Sequence, residues 1–205
     1  MGKLKMIIVV LFIVTSSHSQ INADFVIEYG VSFNGLAIDT ANIIDEDVKK
    51  YFLKSENDAK RLLKSDRTLA ILNYYSETNT ATFKRVEMMD VDDQESMYLA
   101  MSGVVEIQHD INKNIILYHK KQINTNDIEW EITEEYKNII GYSCQKAITI
   151  HTNPNGTQKK IVAWFATEIP MPTGPFMYVG LPGLILEVDN HLGRKIYARN
   201  IKFKD

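Results

Sequence analysis

Cysteine and histidine are the residues of this chain whose side chains most readily serve as nucleophiles or metal ligands. The one cysteine, Cys144, cannot close an internal disulfide, and its strand-like surroundings predict a small buried apolar side chain. An intermolecular disulfide, a metal ligand and a nucleophile are the alternatives for this thiol. His109, His119, His151 and His191 include no pair at the spacing of about three to five residues that zinc motifs use. We expect His151 and His191, which lie near predicted turns, at the surface.

Motifs that would identify an enzyme are absent from the sequence. There is no Gly-x-Ser-x-Gly elbow, no phosphate-binding Walker loop and no dinucleotide fingerprint. The acidic run at residues 90–93 lacks the ligand spacing of an EF-hand loop, and the pair Glu134 and Glu135 is typical of a solvated surface. The sequence therefore predicts no catalytic residues, no metal site and no cofactor, and it leaves open whether the protein is an enzyme.

The first residues have the pattern of a secretory signal peptide. Lys3 and Lys5 precede an unbroken apolar run, and Ser17 and Ser19 occupy the two small-residue positions of a cleavage site. The run is shorter than the roughly 20 residues that span a bilayer, so we expect cleavage before Gln20; a retained membrane anchor is the alternative. The prediction is a signal peptide at residues 1–19 and a single domain at residues 20–205, exported to the periplasm or cell surface or secreted.

Charge and hydropathy limit the partners of the remaining chain. The net charge is −3 for the full chain and −5 after residues 1–19, which hold two lysines and no acid, are removed; no basic run is present, which argues against nucleic acid. No segment after the signal peptide approaches the length of a transmembrane span.

Two kinds of periodicity indicate how the chain positions its side chains. Residues 25–33 (FVIEYGVSF) alternate apolar and polar side chains, which predicts a half-buried strand. Residues 45–67 space their apolar side chains three to four apart, which predicts a helix that Asp45 or Asp47 could cap and that Ser55 and Asn57 could divide in two. Further strands joined by short turns are predicted at residues 69–75, 80–87, 104–109, 115–120, 129–133, 139–151, 159–166, 184–188 and 195–203.

This order of elements predicts the fold class. No strand–helix–strand alternation is present, so a parallel sheet is not expected. We predict an α+β protein that is mostly antiparallel β, with a curved sheet or half-barrel of about nine strands and one or two helices.

Residues 164–188 form the most unusual segment of the chain. Four of the five prolines of the whole chain fall in this segment, interleaved with glycines and apolar residues. Proline fixes φ and removes a hydrogen-bond donor, so the segment cannot be a central strand throughout. We expect a stiff apolar loop that packs against the sheet and then enters the strand at residues 184–188.

This segment resembles the family named after the motif GLPGLI, also called Porph_ging, a group of exported Bacteroidetes proteins. Residues 180–185 (GLPGLI) are similar to the name-giving motif, and residues 164–175 contain elements similar to the family's Trp-Tyr-Thr-x-Glu-Ile-Pro and Gly-Pro. Phe165 and Ala166 replace the usual Tyr and Thr. Residues 141–147 (GYSCQKA) are similar to the family's Gly-Tyr-x-Cys-x-Lys-Ala stretch. The resemblance implies export but no reaction.

Two hypotheses about function follow. The first is a non-enzymatic binding module of the cell envelope that holds an apolar ligand, a lipid or a peptide; the second is an assembly protein that works with an outer-membrane complex. The proline-rich segment is then either a rigid loop that covers the sheet or a recognition surface. The candidate binding residues are Trp164, Pro170, Gly174, Pro175, Gly180, Leu181, Pro182 and Gly183.

Overall fold

The computed structural model describes residues 23–33, 43–63, 67–87, 104–152, 156–190 and 194–204. The predicted signal peptide, His191 and the acidic run at residues 90–93 lie outside this part, and the single domain at residues 20–205 stays a prediction. Among the described residues, no helix has the length and apolar character that crossing a membrane requires.

The described elements are one α-helix, one 3₁₀ turn and a sheet of eleven strands. The helix α1 is Glu46–Leu63 and the 3₁₀ turn is Thr125–Asp127. The strands are β1 Phe25–Phe33, β2 Ala70–Tyr75, β3 Thr80–Arg85, β4 Ile107–Asp110, β5 Ile115–Tyr118, β6 Lys121–Asn124, β7 Glu131–Ile139, β8 Tyr142–Thr152, β9 Gln158–Ala166, β10 Leu184–Asp189 and β11 Arg194–Phe203.

The sheet is antiparallel, and its two halves meet at the first and last strands. The order is β6-β5-β4-β3-β2-β1-β11-β10-β9-β8-β7, so β1 pairs with both β2 and β11. Each half is a meander in which consecutive strands are neighbours. The α+β class and the dominance of antiparallel strands are therefore confirmed.

The sheet must be curved, because the two edge strands β6 and β7 are consecutive along the chain. Eleven strands in a flat sheet would place the edges about 48 Å apart. Residues 125–130 join β6 to β7 and reach at most about 25 Å even when fully extended. The edges are not paired with each other among the described strands, so the sheet is curved but not closed.

The alternation predicted for β1 is confirmed with its boundaries. Phe25, Ile27, Tyr29 and Val31 are buried on one face, and a bulge at Glu28 and Tyr29 shifts the pairing with β11. The ring of Tyr29 meets Phe83 edge to face, and its hydroxyl donates to the carbonyl of Ile185 at 2.7 Å. This bond joins the centre of the sheet to the start of β10.

The helix is one continuous element, so the predicted division at Ser55 and Asn57 is wrong. Asp45, one of the two predicted candidates, caps it: Asp47 and Val48 donate their backbone N–H groups to Asp45 Oδ1 at 2.9 and 3.1 Å. Serine and asparagine are tolerated within a helix when the neighbouring residues favour the helix. The helix α1 also packs on β1, which supports it as one element.

The predicted count of about nine strands was too low, and β6 is the strand that no predicted range contains. Ile140 and Gly141 have φ of 45° and 94°, which matches a two-residue type I′ turn. It separates β7 from β8, so the predicted strand at residues 139–151 began too early and the one at residues 129–133 ended too early. His119, with φ of 53°, begins the turn that separates β5 from β6. A β-branched residue such as Ile140 rarely adopts positive φ, so its apolar side chain favoured the wrong assignment.

Candidate functional site

The proline-rich loop, residues 167–183, connects β9 to β10. Its first half is two successive narrow turns: Met171 N–H donates to the carbonyl of Ile169 at 2.7 Å, and Thr173 N–H donates to that of Met171 at 2.8 Å. Each turn has one proline at its centre, and the φ that proline imposes suits such three-residue turns. The second half is tied back by Gly180 N–H, which donates to the carbonyl of Pro172 at 3.0 Å.

Three glycines of the loop are required by geometry. Gly180 has φ of 88°, a conformation that L side chains rarely adopt. A Cβ added at Gly174 would lie 2.6 Å from Cβ of Ile185, and one at Gly183 would overlap the backbone carbonyl of Ala166. The loop can therefore lie this close to β9 and β10 only because these positions have no side chain.

The apolar side chains of the loop fill the concave side of the sheet. Val179 packs with Ile107 and Ile116 of β4 and β5, near one edge of the sheet. Leu181 packs with Ala147 and Ala163 of β8 and β9, near the other edge. One short loop can contact both sides only if the sheet bends around it, so its apolar residues are part of the core.

A buried histidine joins β4 to this loop. His109 Nδ1 lies 3.1 Å from Oγ1 of Thr173, and both residues are buried. Burial lowers the pKa of His109 to about 4, against a smaller opposing effect of Asp110. The ring is therefore neutral at physiological pH, and its contact is structural.

The link between the two edge strands, residues 125–130, also contacts the loop. Trp130 donates its Nε1–H to the carbonyl of Val179 at 2.9 Å. A Cβ added at Gly180 would lie 3.7 Å from the carbonyl oxygen of Thr125, so the loop passes close to the 3₁₀ turn as well. The loop thus contacts the link that joins the two edges of the sheet.

The candidate binding residues are divided between interior and surface. Gly180 and Pro182 are exposed, and Pro170 is half-buried. Trp164 lies outside the loop, on β9, and by strand alternation it points away from the face that carries Ala163 and Phe165. The buried members are Gly174, Pro175, Leu181 and Gly183.

Trp164 belongs to a cross-strand row on the face of the sheet away from Leu181. Lys146, Trp164, Glu187 and Tyr197 are successive register partners on β8 to β11, and Tyr197 covers Gly30 of β1. Cross-strand neighbours of this kind stabilise a sheet through their side-chain contacts.

Glu187 is the buried acid of this face, and two lysines neutralise it. Its Oε1 lies 2.7 Å from Nζ of Lys137 and 3.0 Å from Nζ of Lys195. Lys137 also lies over the ring of Trp164, 4.3 Å from its centroid. Because the carboxylate of Glu187 is paired with both lysines, we interpret this row as structural.

Cys144 is fully buried, as predicted. Burial raises the pKa of its thiol to about 11, so the thiol is protonated at neutral pH. Among the described residues, no group of three or more acidic, histidine or cysteine side chains is arranged to hold a metal ion.

One surface feature that sequence reasoning missed is an open cleft of about 460 Å³ beside β7 and β8. Trp130, Ile148, Thr149 and Ile150 contribute to its walls, and three acidic residues complete them: Asp127, Glu129 and Glu131. The sequence contained a partial signal, because acids alternate with other residues around Trp130. It could not show that β8 extends past the start of β7, which creates the cleft.

Comparison with known proteins bears on the loop. Residues 153–187 match the Porph_ging family model, described as a protein of unknown function. The resemblance to the GLPGLI family is confirmed. The match includes the proline-rich loop, while the stretch at residues 141–147 lies outside it. The GLPGLI motif therefore coincides with the loop that fills the concave side of the sheet.

More distant likenesses are found among solved structures. Two solved structures of PNGF-II, in C2 and P21 space groups, are similar to 89% of this chain at 14% and 16% identity, each with a TM-score of 0.43. The chain spans only 28% and 29% of their lengths. A likeness at this level carries no functional argument. Among curated proteins, none matches the chain.

Proposed function

We propose that this protein is an exported, non-enzymatic binding module that holds an extended polypeptide segment at a free edge of its sheet. The observation that carries this proposal is the backbone of β8 at residues 149–152. These residues pair with β9 on one side, and no described strand pairs with them on the other. Free strand edges recruit extended segments through main-chain hydrogen bonds.

The filled concave side argues for the peptide among the ligands considered from the sequence. An apolar molecule or a lipid would need space inside the curved sheet. Leu181 and Val179, each 1% exposed, occupy that space together with their neighbours. A partner that adds to the edge needs no such cavity.

A role in assembly with an outer-membrane complex is the second candidate. The same free edge supports it, since a strand of a protein partner could pair there as a short peptide would. The two candidates differ in whether the segment is a transient ligand or part of a permanent partner.

Photocrosslinking in the native host tests the proposal. A benzophenone amino acid replaces Ile150, which is 52% exposed in the cleft, and in the control it replaces Tyr51, which is 64% exposed on α1. We expect polypeptide adducts at position 150 that mass spectrometry maps to a defined segment, and none of these at position 51. Only lipid adducts at position 150, or none, would contradict the proposal.

Export is tested separately by N-terminal sequencing of the mature protein from its host. The proposal expects a chain that begins at Gln20. A mature chain that begins at Met1 would exclude cleavage of residues 1–19.

A further inference from the structure

We infer that the segment held at this edge is a short, positively charged extended peptide that pairs with residues 149–152 of β8. This inference rests on the proposed function and adds the chemical class of the ligand. It is argued from the register of β7 and β8, the course of the chain before β7, and the charges around the cleft.

The register leaves a defined stretch of β8 unpaired. The β7–β8 pairing begins at Glu131 opposite Ile148, whereas β8 continues to Thr152, which still pairs with Gln158 of β9. In an antiparallel strand, alternate residues direct their backbone N–H and C=O groups to opposite sides. About half of residues 149–152 therefore direct these groups away from β9, where a new strand could bind.

The chain itself does not occupy this position because the link turns away from β8. The hydrogen bond from Trp130 Nε1 to the carbonyl of Val179 holds the link against the proline-rich loop. The cleft opens between the link and the end of β8, and the half-exposed Ile150 contributes to its wall. Four strand residues span about 14 Å, so the site suits a segment of four to six residues.

The charge around the cleft selects the ligand. Asp127, Glu129 and Glu131 line it, all three are exposed, and none forms an ion pair with a described residue. Three carboxylates beside a free strand edge attract lysine or arginine side chains of an added strand and repel acidic ones. Charge thus supplies selectivity, and main-chain pairing supplies the binding mode.

Fluorescence polarisation with defined peptides tests the inference on the mature full-length chain. The probe is a labelled, end-capped six-residue peptide of alternating lysine and valine. One comparison peptide has glutamate in place of each lysine, a second has serine, and a third keeps lysine but is N-methylated at every second residue. We expect binding of the basic peptide only, about tenfold weaker at 0.5 M salt than at 0.05 M.

Matched variants locate the charge effect. The triple variant Asp127→Asn, Glu129→Gln and Glu131→Gln should bind the basic peptide about tenfold more weakly, since each exposed pair contributes a few tenths to one kcal/mol. The control variant Glu77→Gln, Glu87→Gln and Glu106→Gln changes the net charge equally at exposed positions outside the cleft. It should change the affinity by less than about twofold.

The outcomes separate this inference from the proposed function. If basic, neutral and acidic peptides bind equally and N-methylation abolishes binding, the charge selection is wrong and edge pairing stands. Equal loss of affinity in both triple variants would also contradict the charge selection. If no peptide binds and position 150 gives no polypeptide adduct, both proposals fail. Slower amide exchange at residues 149–152 on addition of the basic peptide would place it on β8.

Discussion

At the scale of single residues, absent side chains determine how closely the loop approaches the sheet. Gly183 lies against the backbone of Ala166, where even a methyl group would overlap the carbonyl. Gly156, in contrast, has positive φ, of 81°, and a Cβ added there would meet nothing within 4 Å. The two positions thus separate packing from backbone strain.

The first prediction uses this pair. Gly183→Ala should lower the free energy of unfolding by about 3 kcal/mol, because β9 or the loop must shift. Gly156→Ala should cost only about 1 kcal/mol, from its backbone conformation. Urea denaturation measures both values, and equal losses would show that close packing at Gly183 is not the cause.

His109 makes stability depend on pH. Its folded-state pKa of about 4 lies below the ordinary 6.5, so the unfolded chain binds a proton more readily between these values. The stabilisation from the neutral ring is complete above pH 6.5 and is lost as the pH falls towards 4, by about 3 kcal/mol in total.

The second prediction isolates this effect. In His109→Gln, the part of the pH dependence between pH 6.5 and 4 that arises from this ring should disappear, while the amide can still bond Thr173. Urea denaturation at pH 7.5, 5.5 and 4.5 measures the difference between the two proteins. A difference that stays constant with pH would contradict the effect of His109.

At the scale of elements, the proline-rich loop acts as part of the core. Leu181 is 1% exposed, and the next residue, Pro182, is exposed. The first four residues of the motif therefore alternate exposed and buried positions, and the last two, Leu184 and Ile185, are both buried. Packing therefore explains most of the residue types in the motif. Gly180 and Pro182 are its exposed positions.

The third prediction compares these neighbours. Leu181→Ala should lower the free energy of unfolding by about 2–5 kcal/mol, because it leaves a cavity between β8, β9 and the loop. Pro182→Ala should change it by less than about 1 kcal/mol. Normal stability of Leu181→Ala together with loss of the peptide partner would instead favour a recognition role for this loop.

At the scale of the whole molecule, the first and last described strands, β1 and β11, pair at the centre of the sheet. Phe25 is opposite Phe203, and Lys204 N–H donates to the carbonyl of Asp24 at 2.7 Å. The central pairing of β1 with β11 therefore joins residues from opposite ends of the chain. Such distant contacts slow folding, since the entropy of closing the loop is lost before the contact forms.

The fourth prediction is a circular permutant. A short glycine linker joins Lys204 to Asp24. The chain is opened within residues 88–103, because β3 and β4 on either side of this stretch are already more distant along the chain than the partners of a hairpin. Because β11 and β1 become a local hairpin, we expect refolding several-fold faster by stopped-flow fluorescence. An unchanged or slower rate would show that β1–β11 pairing does not limit folding.

The sequence by itself determined the antiparallel class, the strand β1 with its boundaries, an aspartate cap at residue 45 or 47 and the burial of Cys144. These features depend on local periodicity and residue type, which one stretch of chain displays. Only the tertiary structure decided that the GLPGLI loop fills the concave side, that His109 meets Thr173, and that β8 extends past β7 beside three carboxylates. Each of these depends on how strands distant in sequence are placed in register around a curved sheet, and local periodicity contains no record of that placement.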